Sequence, residues 1–289
     1  MSRHELHDAG RSISLTLGSL ELEAFSISGL ASWVAVPSFD AVFDLGHCTV
    51  AASQLRHVVL SHVHQDHSLG VVRHLSLRHM TSATPSRIFV PEESREALVE
   101  MLRAFEKLEG RSGTPYETLV HGVASDGTFS LSKHRTVRAF DVTHRIASRG
   151  YTVTETRRKL QERFAGLPGT AIRDARLRGE ELYTYEDARV FTYVGDSTIA
   201  TLERNPELGR SEVLFLEATH LPGTPLEASA KYGHTHLEEL VALYRKSPET
   251  LASPHVVLKH FSMKYSREDI LAARETLPEG LRERVTMLV

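Results

Sequence analysis

One cysteine, Cys48, and one tryptophan, Trp33, stand in a chain of 289 residues. A lone thiol can form neither an internal disulfide nor a thiolate zinc cluster, so any metal here has to be held by His, Asp or Glu. Long apolar runs are missing as well, since no stretch approaches the ~20 consecutive apolar residues that span a bilayer. Met1 to Leu20 carries charges and lacks the continuous apolar core of a signal peptide. The expectation is no membrane association and a cytoplasmic address. Glycine and proline are scarce, at 18 and 11, which excludes collagenous and low-complexity chains, and a hydrophobic share of 41% predicts a folded one. There is no basic excess, because the formal net charge is −3. The chain as a whole does not announce a nucleic-acid binder, and only a local basic patch could serve that end. What the chain has in quantity is histidine, 17 in all, with two tight groups: His62, His64 and His67, then His234 and His236.

Short alternating or apolar runs come first: Ile13 to Leu17, Leu20 to Ile27, Trp33 to Pro37, Ala41 to Leu45 and Arg56 to Leu60. These read as strands. Helical periodicity follows in Glu93 to Glu109, Glu155 to Phe164, Leu237 to Lys246 and Arg267 to Thr276. Between them lie strand-like Arg87 to Val90, Thr136 to Val142, Val190 to Val194, Val213 to Glu217 and Val256 to Lys259. Strands that cluster first and then alternate with helices suit two packed sheets with helices on their outer faces, a four-layer αββα sandwich of the α/β class. No linker or internal repeat divides the chain, so residues 1–289 read as one domain.

The run Ser61-His62-Val63-His64-Gln65-Asp66-His67 follows the apolar His57-Val58-Val59-Leu60 and so sits where a buried strand ends. If the chain stays extended as it leaves that strand, His62 and His64 point the same way, while Asp66 and His67, on the next turn, face a second position. Two metals side by side are the natural product. Two metals need more than four ligands, and three later strand ends each offer one: His144 after Phe140-Asp141-Val142-Thr143, Asp196 after Val194-Gly195, and His260 after Leu258-Lys259. His144 then completes one set with His62 and His64, His260 completes the other with Asp66 and His67, and Asp196 bridges both.

This series of His62, His64, Asp66, His67, His144, Asp196 and His260 resembles the metallo-β-lactamase superfamily, whose fold is an αββα sandwich that binds two zinc ions. Ser61 to His67, Ser148-Arg149-Gly150-Tyr151, Glu217-Ala218-Thr219, Gly233-His234-Thr235-His236 and His260-Phe261-Ser262-Met263-Lys264-Tyr265 are similar, more narrowly, to the ribonuclease Z family in its short plant-type form. The likeness spans roughly Leu20 to Leu288. Three small departures stand out. His236 ends a segment that usually reads His-Ser-Thr, His220 replaces a Phe after Glu-Ala-Thr, and Ser197 replaces a Thr after Gly-Asp. A long Gly-Pro arm for gripping tRNA is missing.

The resemblance implies a zinc endonuclease that removes the 3′ trailer from precursor tRNA. Asp66 would orient the attacking water, and His234 would protonate the leaving oxygen while Glu217 holds its other ring nitrogen. His236 is the second choice for the donor. A homodimer, in which one subunit's arm presents tRNA to the other's metals, is implied in the same way. For the arm itself, the candidate is a compact insertion at about 151–180. Its basic residues Arg157, Arg158, Lys159, Arg163, Arg173, Arg176 and Arg178 outnumber four acidic ones, an asymmetry that would steer a polyanion to one edge. The ligand set alone also fits a small-molecule phosphodiesterase of the same fold, such as one for cyclic nucleotides. A relative that binds RNA without metals is the remaining reading, and the complete ligand set speaks against it.

Overall fold

In the computed structural model, residues 12–289 are described, so His4 and His7 lie outside the described residues. The first sheet places β1 (Ile13–Leu17), β2 (Leu20–Ser28), β3 (Ala31–Val36), β4 (Ala41–Leu45), β5 (His57–Val59), β6 (Arg87–Pro91) and β7 (Val120–Val123) in spatial order. The second runs β8 (Thr128–Ser132), β9 (Arg135–Asp141), β10 (Arg149–Leu160), β11 (Tyr183–Tyr193), β12 (Val213–Glu217), β13 (His255–Lys259) and, at its edge, β15 (Val285–Met287). The two-residue β14 (Phe261–Ser262) crosses over to pair with β2. Each sheet is antiparallel through its first four strands and parallel beyond them.

The parallel strands are covered on both faces, which is why they read as unbroken apolar runs. In β12, Val213 and Phe215 enter a core shared by both sheets, whereas Leu214 and Leu216 face the outer helices. Those helices, Leu237–Lys246 and Arg267–Glu275, bury Leu237, Leu240, Leu243, Ile270 and Ala273 against that face. On the opposite side the helix Arg95–Leu108 sets Leu98, Val99 and Leu102 on the outer face of the first sheet. Helix, sheet, sheet and helix make the four layers expected. Trp33 and Cys48 are core residues, as their apolar surroundings predict. No helix of the described residues is long and apolar enough to cross a membrane.

This topology places the site. Because β9 and β11 are each antiparallel to β10, and β11, β12 and β13 are parallel, the loops that follow β9, β11, β12 and β13 leave one common edge of the second sheet.

Two expectations need correction. Glu155 to Phe164 is not a helix: β10 continues to Leu160 and pairs with β11 as far as Tyr183, and only a short 3-10 turn occupies Glu162–Phe164. Leu160 and Phe164 have helical spacing, but they meet in a small cluster with Ile172, Ala175, Leu182 and Tyr183 at the hairpin tip. Strand pairing 23 to 33 residues downstream is invisible to a local period.

The insertion's boundaries also change. Tyr151 and Val153 belong to the core between the sheets, and a register shift follows between Val153 and Thr154, where a bulge re-aims the ribbon. β10 keeps β9 as a neighbour up to Glu155, so the projecting part runs from Thr156 to its partner Asp187; it leaves out Glu155 and gains Glu181, Glu186 and Asp187. Residues 156–187 hold seven basic and six acidic side chains. The basic excess of three expected for 151–180 is thus cut to one by the returning strand.

Candidate metal centre

The loop that carries His62 to His67 is anchored before it turns. Asp44, in β4, accepts hydrogen bonds from the Ser61 backbone N–H at 2.7 Å and the Ser61 hydroxyl at 2.9 Å, and the Arg149 N–H donates to the Ser61 carbonyl at 2.8 Å. His64 precedes a single helical turn, Gln65–Ser68, that turns Asp66 and His67 to a second position. Two glycines allow this closeness. A Cβ on Gly46 would lie 1.9 Å from the Asp66 carbonyl oxygen, and one on Gly195 would lie 2.5 Å from the Ser61 Cβ.

Six of the side chains expected to ligate converge from this loop, the β9 end and the β13 end, and Asp196 reaches in from the β11 end. His62 Nε2 lies 3.0 Å from His64 Nδ1, which lies 3.4 Å from His144 Nε2. His67 Nε2 lies 3.2 Å from His260 Nε2, and Asp66 Oδ2 lies 3.4 Å from the latter. Asp196 Oδ2 sits between the two groups, 3.9 Å from His62 Nε2 and 3.3 Å from both His67 Nε2 and His260 Nε2. His62, His64, His144 and Asp196 therefore form one cluster of metal-ligating atoms, and Asp66, His67 and His260 form a second.

Whether these atoms suit a cation is decided by their outward partners. His67 Nδ1 donates to Asp44 Oδ2 at 2.7 Å, and His144 Nδ1 donates to the Gly233 carbonyl at 2.9 Å. His62 Nδ1 lies 3.0 Å from the Ser61 hydroxyl, whose own proton goes to Asp44. His260 Nδ1 lies 3.0 Å from the Thr219 hydroxyl, whose proton goes to Glu217. All four rings thus spend their N–H outward and turn Nε2 into the cluster. Lone pairs facing one another at such distances repel unless a cation lies between them, and rings oriented by an outer hydrogen bond are how proteins hold zinc. Asp196 Oδ1 is buried with no hydrogen-bond partner among the described residues, a further acceptor suited to a positive charge.

The electrostatics agree. Burial, joined by the neighbouring imidazoles, holds His62 well below the usual histidine range and lowers His64 and His144, so these rings stay neutral and able to ligate. His67 differs: burial opposes its charge, but Asp196 and Asp44 outweigh it and push that ring up to about 10, so its Nε2 offers a lone pair only when a metal displaces the second proton. The carboxylates draw positive charge to this place. Against the cost of burial, His260 and His67 keep Asp196 well below the ordinary carboxylate range.

Beside the cluster, His234 Nδ1 lies 2.9 Å from Glu217 Oε1 and 4.0 Å from Asp196 Oδ2. Glu217 ends β12 and is fully supplied with donors: Ser197 N–H at 2.8 Å, Thr219 N–H at 3.2 Å, the Thr219 hydroxyl at 2.5 Å and Thr235 N–H at 3.2 Å. Burial works against a charge on His234, yet Glu217 and Asp196 raise it to about 9. Its partner in the sequence, His236, is elsewhere. That ring is fully buried, its Nδ1 accepts from the Glu238 N–H at 3.1 Å as a helix N-cap, and its Nε2 lies 3.1 Å from the Thr224 carbonyl. With both nitrogens spent on backbone, His236 has no proton to offer the site, which corrects its reading as a second candidate donor.

The basic residues expected to bind substrate all lie on the projecting hairpin. Arg157 is committed to Glu212 at 2.7 Å and Glu155 at 3.2 Å, and Lys159 lies 3.6 Å from Glu186. Arg158 and Arg163 lie over the rings of Tyr183 and Phe164 at 4.0 and 4.7 Å. Arg173 and Arg178 pair with Asp174 and Glu180 beside them, and Arg176 stands on the tip helix Gly169–Leu177.

Sequence reasoning missed Asp44. Fully buried, it accepts from Ser61, His67 and, at 2.7 Å, from the Tyr193 hydroxyl. The signal was a carboxylate inside the apolar run Ala41-Val42-Phe43-Asp44-Leu45, since an acid in a buried strand is there for its partners.

The profile of the Beta-lactamase superfamily domain matches residues 37–261. The chain is 31% identical over 260 residues to the chloroplastic tRNase Z TRZ2 of Arabidopsis thaliana, covering 89% of this chain and 72% of that protein. It is 30% identical over 270 residues to tRNase Z TRZ1 of the same plant, covering 92% and 94%. Among solved structures, the short form of human tRNase Z superposes with a TM-score of 0.58 at 17% identity over 91% of this chain and 93% of that one. The metallo-beta-lactamase fold protein YhfI from Bacillus subtilis superposes with a TM-score of 0.57 at 16% identity over 91% and 92%. Both share the fold.

Proposed function

The chain belongs to the beta-lactamase superfamily, among its tRNase Z members, and we propose that it is a zinc-dependent endoribonuclease that removes the 3′ trailer from precursor tRNA and leaves a 3′-hydroxyl on the tRNA. That it is a metal-dependent nuclease acting on phosphodiesters follows from the family. The observation that carries the finer reading is the Glu217–His234 pair set against the converging ligands.

His62, His64, His144 and Asp196 would hold one zinc, and Asp66, His67, His260 and the shared Asp196 the other. Bound there, the ions supply a water of lowered pKa and neutralise charge building on the phosphoryl oxygens. The protein's side chains do the rest. Asp66, fixed by the Gly29 N–H at 2.7 Å, orients the attacking water. His234 donates a proton to the leaving 3′ oxygen from Nε2, because Glu217 keeps its Nδ1–H. The water gives up a proton to solvent as its oxygen joins the phosphorus, the bond to the 3′ oxygen breaks as His234 protonates it, and the trailer departs with a 5′-phosphate.

The hairpin tip offers Arg158, Arg163, Arg173, Arg176 and Arg178 to the tRNA backbone, with the homodimer and the cytoplasmic address belonging to the same proposal. In the dimer, one subunit's hairpin serves the other's metals. Purified protein is to be given a labelled precursor tRNA and bis-p-nitrophenyl phosphate. A catalytic efficiency at least a hundredfold higher on the precursor, with cleavage at one position, is expected from a surface that positions tRNA. Comparable efficiencies would assign the chain to small phosphodiesters instead. Mixing a hairpin-deleted protein with His234→Ala tests the dimer, because each supplies what the other lacks and activity should return.

A further inference from the structure

His220 stands beside His234 and has no part in the proton transfer above. Its backbone is pinned to the segment that carries His234: its N–H donates to the Thr235 carbonyl at 3.4 Å, and the Leu237 N–H donates to its carbonyl at 2.9 Å. The ring stands at 90° to the His234 ring, with centroids 6.3 Å apart. Nδ1 lies 2.8 Å from the hydroxyl of Ser229, a fully buried residue. That hydroxyl has no other hydrogen-bond partner among the described residues, so it donates to Nδ1 and leaves the ring proton on Nε2. Nε2 has no partner among the described residues and is not buried. The Ser229 carbonyl also accepts from the His234 N–H at 2.9 Å, so one buried residue sets both rings.

A cation completes the arrangement. Lys264 Nζ donates to the Thr224 hydroxyl at 2.7 Å. The Tyr265 hydroxyl lies 2.5 Å from that same oxygen and accepts from the N–H of Leu221, next to His220, at 2.9 Å. Burial first, and the Lys264 charge second, lower the His220 pKa, which keeps this ring a neutral N–H donor.

We propose that the Nε2–H of His220 and the ammonium of Lys264 form a phosphate subsite for the nucleotide just upstream of the scissile bond, where nothing in the chemistry of cleavage requires them. The inference rests on the reading of His234 as the donor to the leaving 3′ oxygen. The nucleotide that owns that oxygen lies beside His234, and its own 5′ phosphate is the next anion along the strand. A neutral donor paired with a lysine suits such an oxyanion, and phosphate contacts of this kind fix register rather than sequence.

The test uses the zinc-loaded full chain and two RNA dinucleotides of identical sequence, one with a 5′ hydroxyl and one with a 5′ phosphate, as inhibitors of bis-p-nitrophenyl phosphate hydrolysis. The wild type should bind the phosphorylated one about tenfold better, the order of one charge-assisted hydrogen bond. His220→Phe and Lys264→Met should each bring the two inhibition constants within about twofold, and His220→Gln, which keeps an N–H, should retain the preference. A wild type that does not distinguish the dinucleotides, or a preference that survives in His220→Phe, overturns the subsite. Failure of the tRNA reading shows separately, as a protein that does not favour precursor tRNA, and the dinucleotide ratio reports the subsite either way.

Discussion

In the metal centre His67 is held at both ring nitrogens, whereas near the tip of the projecting hairpin Arg173 and Arg178 are each held by an acid one or two places along the chain. The His67 ring has Nδ1 on the buried Asp44 and Nε2 between Asp196 and His260. Arg178 has a mostly exposed side chain and Glu180 as its partner. A donor set in which four of the five rings spend their outward nitrogen cannot rearrange without losing several hydrogen bonds at once. An exposed ion pair contributes little to stability and exchanges readily for a phosphate. The centre is built to hold fixed charges in place, and the hairpin is built to give up its partners. Its small net charge changes the expected mode of binding: with seven bases against six acids between 156 and 187, grip comes from local arginine contacts more than from a long-range field.

The contrast can be broken at four points. Replacing His234 by Ala should cut turnover on precursor tRNA by roughly a hundredfold or more, the usual loss for a general acid, while zinc content stays the same. Unchanged turnover would remove the residue from the mechanism, and lost zinc would make it a ligand. Asp44→Asn keeps the shape but not the charge that holds the His67 N–H. Zinc affinity, read by competition with a chromogenic chelator, should fall by about 10- to 100-fold. An unaltered affinity would say that the outer carboxylate does not tune the centre. Deleting the hairpin beyond Thr156 and Asp187 should raise KM for precursor tRNA about tenfold and spare bis-p-nitrophenyl phosphate; equal losses on both would make the ribbon part of the catalytic body. The smallest effect belongs to His236→Ala, expected to lower unfolding stability by about 1 kcal/mol through the lost helix cap with turnover intact. A large fall in turnover there would restore His236 as a proton donor.

How much of this was legible depends on how locally each feature is encoded. The strand ends that position His62, His144, Asp196 and His260 show as apolar runs followed by a ligand residue, and the strands Ala41–Leu45 and Val213–Glu217 fall where their patterns predict. Asp44 was visible as a misplaced acid, but its partners are 17, 23 and 149 residues away. His236 shows the limit in the other direction. Its residue type and its spacing from His234 suit catalysis, and only the direction of the following helix reveals that the ring caps Leu237–Lys246. The hairpin was the least legible part, because Arg157↔Glu186 and Leu160↔Tyr183 are partners through a fold-back that no local period records.

The central claim is that the converging side chains cage two cations. Diffraction from crystals of the zinc-loaded protein, recorded on both sides of the zinc absorption edge, tests it most directly. The account predicts two anomalous peaks per chain, one among His62, His64, His144 and Asp196 and one among Asp66, His67, His260 and Asp196. A protein that cleaves precursor tRNA with no peak at either place would contradict it.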